Sequence, residues 1–194
     1  MTLEEYFDFE ERSRTRHEYV DGEVFEMSGT TRRHNDIVGN VYMRLRTAAR
    51  GGPCRVHFAE VKLRTGRVVY YPDVMAGCAA PPADERLEET PSLVVEVLSP
   101  STQSTDRREK LMVYKGIASL GAYLIIDQMQ RRVDRHWRDA NGEWRRDVIV
   151  DDGAVPVSFG SVSLTIALDE IYEGVVFPTA EERLRLREEE AAYG

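Results

Sequence analysis

Glu96 stands in the middle of Leu93-Val-Val-Glu-Val-Leu98, where every neighbour is apolar. A carboxylate carried into such a strand is strongly disfavoured unless it meets a cation, a metal or a proton. A core arginine, or exposure at the strand end, would satisfy it in the ordinary way. Asp73 follows Pro72 at the close of the strand candidate Val68-Val-Tyr-Tyr71. Proline at a strand edge or bulge is where a side chain is re-aimed, although an aspartate beside proline is also a common turn former. Two acids on neighbouring strands would converge on a hard cation such as Mg²⁺ or Mn²⁺. Such an ion takes one or two carboxylates and fills its remaining positions with water and phosphate oxygens.

A third group comes from the segment after Glu96. The polar run Ser99–Thr105 leads into Asp106-Arg-Arg-Glu-Lys-Leu-Met-Val-Tyr114. Asp106, Lys110 and Tyr114 are spaced by four and share one helix face. Asp106 with Glu109 also reads as a capping box, and Lys110 as a helical partner of Asp106. Only three of the 26 basic residues are lysines, namely Lys62, Lys110 and Lys115, so the position of each is informative. Lys110 lies on the first helix after the acidic strand, from which it can lean back over a metal held by Asp73 and Glu96.

Other candidates weigh less. Glu60-Val-Lys62 has the form of an acid–lysine pair, but it precedes Asp73 and reads as a surface pair on one strand face. His34 shares a helix face with Ile37, Val38 and Val41 and points inward, where a lone histidine is usually a hydrogen-bonded core residue. The arginine pairs at 32–33, 107–108, 131–132 and 145–146 read as solvated faces. The first two would flank the proposed site and could hold phosphates.

These residues need a scaffold. Thr2 to about Arg12 reads as a capped helix, with Thr2 and Glu5 as its capping box. Glu18–Met27 reads as a hairpin turning at Asp21-Gly22. A helix follows from about Arg33 to Arg50, with Ile37, Val38, Val41, Leu45 and Ala48 on one face. Strand candidates are Val56–Leu63, Val68–Ala76, Leu93–Leu98 and Tyr123–Asp127, with a helix at about 106–115 before the last. Ala79–Pro91 reads as a surface loop. Val133–Arg138 and Trp144–Val150 form a hairpin around Asn141-Gly142, and Val162–Leu168 is a further strand followed by a turn of helix at Asp169–Tyr172. Thr179–Ala192 reads as a charged, capped helix. The order is α/β around a mixed central sheet flanked by helices, with β-hairpin extensions. Residues 1–176 would form one domain, with a core at about 33–127, and residues 177–194 a C-terminal helix.

The bulk figures set limits. A content of 42% hydrophobic and 31% charged residues suits a packed core. A net charge of −8 argues against a protein that coats nucleic acid, yet an active site gathering carboxylates is itself acidic. No apolar run approaches the roughly 20 residues that span a bilayer, and the acidic N-terminus lacks a signal-peptide pattern. Cys54 and Cys78 follow no metal-ligand spacing and read as buried thiols, which suggests a reducing cytoplasm.

Tyr71-Pro-Asp-Val74, then Pro91-Ser-Leu-Val-Val-Glu-Val-Leu-Ser-Pro-Ser-Thr102, then Asp106-x-x-x-Lys110-x-x-x-Tyr114, resembles the Uma-type family of restriction endonucleases, within the PD-(D/E)xK nuclease-like superfamily. Glu18-Tyr-Val-Asp-Gly-Glu23, His34 and Gly121-Ala-Tyr-Leu-Ile-Ile-Asp127 extend the resemblance to about residues 15 to 175. It implies a restriction-endonuclease-like fold and Mg²⁺- or Mn²⁺-dependent hydrolysis of nucleic-acid phosphodiester bonds, with DNA the expected partner. It also implies Asp73 and Glu96 as metal ligands, Lys110 as the catalytic lysine, and His34, Glu18 and Asp106 as site neighbours. One departure stands out. The superfamily lysine two residues after the second acid is here Leu98, so its role would pass to Lys110. A symmetric homodimer is expected, because nucleases cutting both strands pair two sites. The competing expectation is a nuclease-fold module without turnover that binds nucleic acid or a protein.

Overall fold

The computed structural model describes residues 1–27, 29–80, 82–98, 109–179 and 181–182. Helix α1 (Leu3–Arg12) starts where Thr2 accepts from the Glu5 amide and the Glu5 carboxylate accepts from the Thr2 amide. This reciprocal box satisfies two otherwise unpaired N–H groups. β1 (His17–Val20) and β2 (Glu23–Glu26) pair across Asp21-Gly22, both at positive φ as the tight turn requires. Helix α2 (Arg32–Ala48) is capped by Thr31 and buries His34, Ile37, Val38, Val41 and Leu45.

The next two strand candidates do not persist as single strands. The first divides into β3 (Arg55–Phe58) and β4 (Lys62–Thr65), the second into β5 (Val68–Tyr70) and β6 (Val74–Gly77), and each half joins a different sheet. Ala59, at positive φ, breaks the first, and Pro72, which has no N–H for a ladder, lies in the break of the second. The chain therefore crosses between sheets at Tyr71-Pro72-Asp73. β7 (Leu87–Glu88) is a short strand within the expected surface loop.

β8 (Pro91–Leu98) is the centre of a six-stranded sheet ordered β11-β10-β9-β8-β6-β3. Helix α3 (Glu109–Lys115) lies on the crossover to β9 (Ala122–Asp127), which runs parallel to β8. The hairpin of β10 (Arg132–Arg138) and β11 (Trp144–Val150) extends this sheet through β9. The other sheet runs β2-β1-β5-β4-β7. A last hairpin, β12 (Ala154–Phe159) with β13 (Val162–Ala167), leads into the short helix α4 (Leu168–Ile171). β12 was not expected from the sequence, although Val155, Val157 and Phe159 are buried in strict alternation.

Alternation along β8 divides the core. Leu93, Val95 and Val97 pack with α2 and β12, whereas Val94 and Leu98 pack with Tyr70, Tyr114 and Tyr123 on the other face. Glu96 belongs by parity to this second, tyrosine-rich face.

The cysteines correct the sequence reading. Cys54 and Cys78 lie one step beyond the Arg55–Gly77 pair of β3 and β6, and they form a disulfide with Cα atoms 4.0 Å apart. A 24-residue separation carries no sign of this, because the pairing follows from which strands become neighbours. Gly160, at φ 53°, closes over the bridge, where a Cβ would come within 2.6 Å of Cys78 Sγ. Among the described residues, no helix is long and apolar enough to cross a membrane. Thr179 and Glu182 form the expected capping bonds, but Ser99–Thr105, Asp106, Arg107, Arg108 and the rest of the C-terminal helix lie outside the described residues.

Candidate active site

Asp73 and Glu96 meet because β6 and β8 are antiparallel neighbours. The last pair before the sheet crossing is Val74 with Val95, so the next step sets Asp73 opposite Glu96. The Val97 amide donates to Asp73 Oδ2 at 2.7 Å, and the Asp73 amide lies 3.4 Å from Glu96 Oε2. Each acid is thus tied to the backbone of the other strand.

Helix α3 supplies the next layer. Its buried face presents Lys110 and Tyr114, one turn apart. Tyr114 donates to Glu96 Oε1 at 2.7 Å, while Lys110 Nζ lies 3.5 Å from that oxygen and 2.8 Å from Glu18 Oε1. The ammonium also sits 4.9 Å from the centre of the Tyr70 ring, an arrangement in which the ring face attracts the cation. Glu18 comes from β1 in the other sheet, so Lys110 bridges the two sheets.

His34, on the first turn of α2, completes the group with Nε2 3.3 Å from Asp73 Oδ2. Its Nδ1 is buried and has no hydrogen-bond partner among the described residues. The capping hydroxyl of Thr31 accepts from the His34 amide and donates to Gln128, and Gln128 donates to the Leu98 carbonyl at 2.8 Å. This relay holds the N-terminus of α2 against the end of β8.

Electrostatics follow from burial. Glu96 is 7% exposed. Burial pushes its carboxyl up to about 8, with the Asp73 and Glu18 carboxylates adding to the rise and the Lys110 ammonium and Tyr114 hydroxyl opposing it. The Tyr114 phenol is pushed well above its ordinary value by burial and by Glu96 beside it.

Of the residues singled out from sequence, Asp73, Glu96, Lys110, Glu18 and His34 come together, and Asp106 lies outside the described residues. Glu60 and Lys62 sit elsewhere: exposed Glu60 pairs with Arg16, and Lys62 lies over Tyr71. Arg33 bonds the Val176 carbonyl, Arg131 pairs with Asp169, Arg132 and Arg146 with Asp134, and Arg145 with Asp139. Tyr70 and Gln128 were missed. Nothing local marks them, whereas the spacing of Tyr114 from Lys110 did place it on the right face.

Two carboxylates from adjacent strands could hold a hard cation. Among the described residues, no group of three or more His, Cys, Asp and Glu side chains has metal-binding spacing. Were an ion held by the two acids alone, its other positions would fall to water and phosphate, the usual arrangement for Mg²⁺.

Comparison with known proteins agrees with this architecture. The family model Uma2, described as "Putative restriction endonuclease", matches residues 3–169. Two proteins of Synechocystis sp. (strain ATCC 27184 / PCC 6803 / Kazusa) are similar. Uncharacterized protein slr1290 is 31% identical over 182 residues, covering 91% of this chain and 94% of its own. Uncharacterized protein sll1609 is 26% identical over 159 residues, covering 79% and 90%. The crystal structure titled as a "putative nuclease belonging to DUF820" from Anabaena variabilis ATCC 29413 superposes with a TM-score of 0.74 at 17% identity, over 91% of this chain and 99% of that one. That likeness shows a shared restriction-endonuclease-like fold. With the fold shared and most of its length matched by the family model, the chain belongs to the Uma2 family.

Proposed function

We propose that this protein is a Mg²⁺- or Mn²⁺-dependent endonuclease that hydrolyses phosphodiester bonds in nucleic acid, with DNA as the substrate. The observation that carries this reading is the cross-strand lock of Asp73 and Glu96 beneath the Lys110 ammonium. The donor set fits a hard divalent ion: both ligands are carboxylates, and Glu96, which burial holds near neutrality, would ionise against a cation. When bound, such an ion supplies Lewis-acid polarisation of the phosphate and a more acidic water.

The remaining roles belong to the chain. Asp73 and Glu96 hold the cation, with His34 fixing the Asp73 carboxylate and Tyr114 fixing that of Glu96. Lys110 sets a positive charge where the reacting phosphate gains negative charge, and Glu18 keeps it there. Leu98, only 3% exposed and apolar, cannot serve as the in-strand lysine. This observation favours the second reading, a module that binds nucleic acid or a protein without turnover. The endonuclease reading includes a symmetric homodimer. Cleavage of single-stranded and duplex DNA and RNA with Mg²⁺ or Mn²⁺, and with Asp73→Ala as control, tests it. Metal-dependent products absent from the variant support the reading, and cleavage equal in both chains rejects it.

A further inference from the structure

A cavity of about 730 Å³ opens beside the proposed site, between the chain leaving α1, the chain entering α2 and the start of β4. Tyr71 forms the wall between cavity and site. Its ring lines the cavity, with the hydroxyl donating to buried Glu10 at 2.7 Å. Its backbone amide lies 3.4 Å from Glu18 Oε1, the oxygen that receives Lys110. The Ala59 amide donates to the Asp73 carbonyl at 3.2 Å, and the chain runs on from there through Glu60, Val61 and Lys62, which line the cavity.

The charges in this cavity are unevenly matched. The lining carries the cations Arg14, Arg16, Lys62 and Arg86 and the acids Glu10, Glu60 and Glu85. Glu10 is held by His17 and Tyr71, Glu60 by Arg16, and Arg86 by Glu11 and Asp84, while Glu85 has no ion pair among the described residues. Lys62 and Arg14 line the same cavity, and neither has a carboxylate within 4.0 Å among the described residues. Lys62 is half-buried, with Nζ 5.3 Å from the centre of the Tyr71 ring, and burial lowers its amine from the ordinary lysine value. Glu10 and Asp84 oppose that lowering only in part, so a partly desolvated cation on an aromatic face, with no carboxylate in direct contact, gains from an anion placed above it. Tyr71 carries cations rather than an open face, since the Arg16 guanidinium also lies over its ring at 5.8 Å. The cavity therefore suits phosphate and sugar better than a stacked base.

We propose that this cavity is a backbone-binding subsite, in which Lys62, with Arg14 at the rim, takes a phosphate of the nucleic-acid strand flanking the bond held over Asp73 and Glu96. The volume is far larger than one anion needs and falls within the range of ligand-sized pockets. The inference rests on the nuclease reading for its substrate class and extends it to a second contact. It also gives Lys62 a role separate from Lys110: Lys62 contributes to holding the strand and nothing to the chemical step.

The test is fluorescence anisotropy with a short labelled DNA single strand and its duplex, without divalent metal, over a salt series. Lys62→Gln should weaken binding about fivefold to tenfold. It should also reduce the slope of log affinity against log salt by about one, the loss of one phosphate contact. Lys62→Arg should restore both, and Arg145→Gln, at the start of β11 and outside the cavity lining, should change neither. Melting curves establish that each variant is folded. In steady-state cleavage Lys62→Gln should raise KM and leave kcat unchanged. DNA binding by wild type with Lys62→Gln unaltered in affinity and slope overturns the subsite while leaving the nuclease reading intact. Inorganic phosphate binding at Lys62 without any DNA binding makes this a small-anion site and overturns the proposal. Wild type that neither binds nor cleaves DNA or RNA rejects both.

Discussion

Tyr114 and Lys110, one helical turn apart on α3, converge on the same carboxylate oxygen of Glu96, at 2.7 and 3.5 Å. The tyrosine supplies a fixed hydrogen bond and the lysine a charge, so their removal should have different consequences.

Tyr114→Phe leaves a buried carboxyl without its neutral donor. Folding stability should fall by about 1–3 kcal/mol, the cost of an unsatisfied buried group. Urea denaturation in metal-free buffer measures it, and an unchanged midpoint would show that the hydrogen bond contributes nothing.

Lys110→Met removes charge from the reacting centre. Metal affinity should be largely kept while turnover falls about a hundredfold or more, as for a lost transition-state contact. Lys115→Met should have little effect, because Lys115 lies over Trp144 at 5.9 Å, away from Glu96. Wild-type turnover in Lys110→Met would return the catalytic lysine to another position, with Lys62 the first to examine.

The Cys54–Cys78 bridge closes a loop of 24 residues between paired strands. Breaking it should cost about 3 kcal/mol on the chain-entropy scale. Thermal melts with and without reductant measure this, and the Cys54→Ser/Cys78→Ser double variant should melt low and ignore reductant. Equal melting of oxidised and reduced wild type would mean that the bridge is stability-neutral.

His136 makes folding depend on pH. Its ring stacks on Tyr123, opposite Arg146 in the β10–β11 register and on a strand shared with Asp134. Burial, with the Lys115 and Arg146 charges, lowers its imidazole to about 4, and Asp134 offsets only part of this. The unfolded chain, near the ordinary value of about 6.5, takes up the proton first. Stability from this group is therefore complete above pH 6.5 and is lost as pH falls toward 4. Denaturation midpoints across that range should decline less steeply in His136→Phe than in wild type. Parallel declines would assign the dependence to the acids.

Much of the scaffold was legible because it rests on local chemistry. The Thr2–Glu5 box, the Asp21-Gly22 turn, the apolar face of α2 and the unbroken apolar run around Glu96 each declare themselves within a few residues. What was not legible depends on partners far along the chain. Val68–Ala76 reads as one strand, and nothing nearby says that its halves join different sheets at Pro72. Cys54 meets Cys78 only because β3 pairs with β6. The five candidates that meet were found through isolated acids, one rare lysine and a family resemblance. Tyr70 and Gln128 needed the tertiary fold, since their partners, Lys110 and the Leu98 carbonyl, lie tens of residues away.

The central claim is that Asp73 and Glu96 together hold a divalent cation, and calorimetric titration of Mn²⁺ into the metal-free protein tests it most directly. The account predicts one saturable site per chain in wild type, lost in both Asp73→Asn and Glu96→Gln and kept in Lys62→Gln. Binding of equal strength and stoichiometry in both acid variants would contradict it.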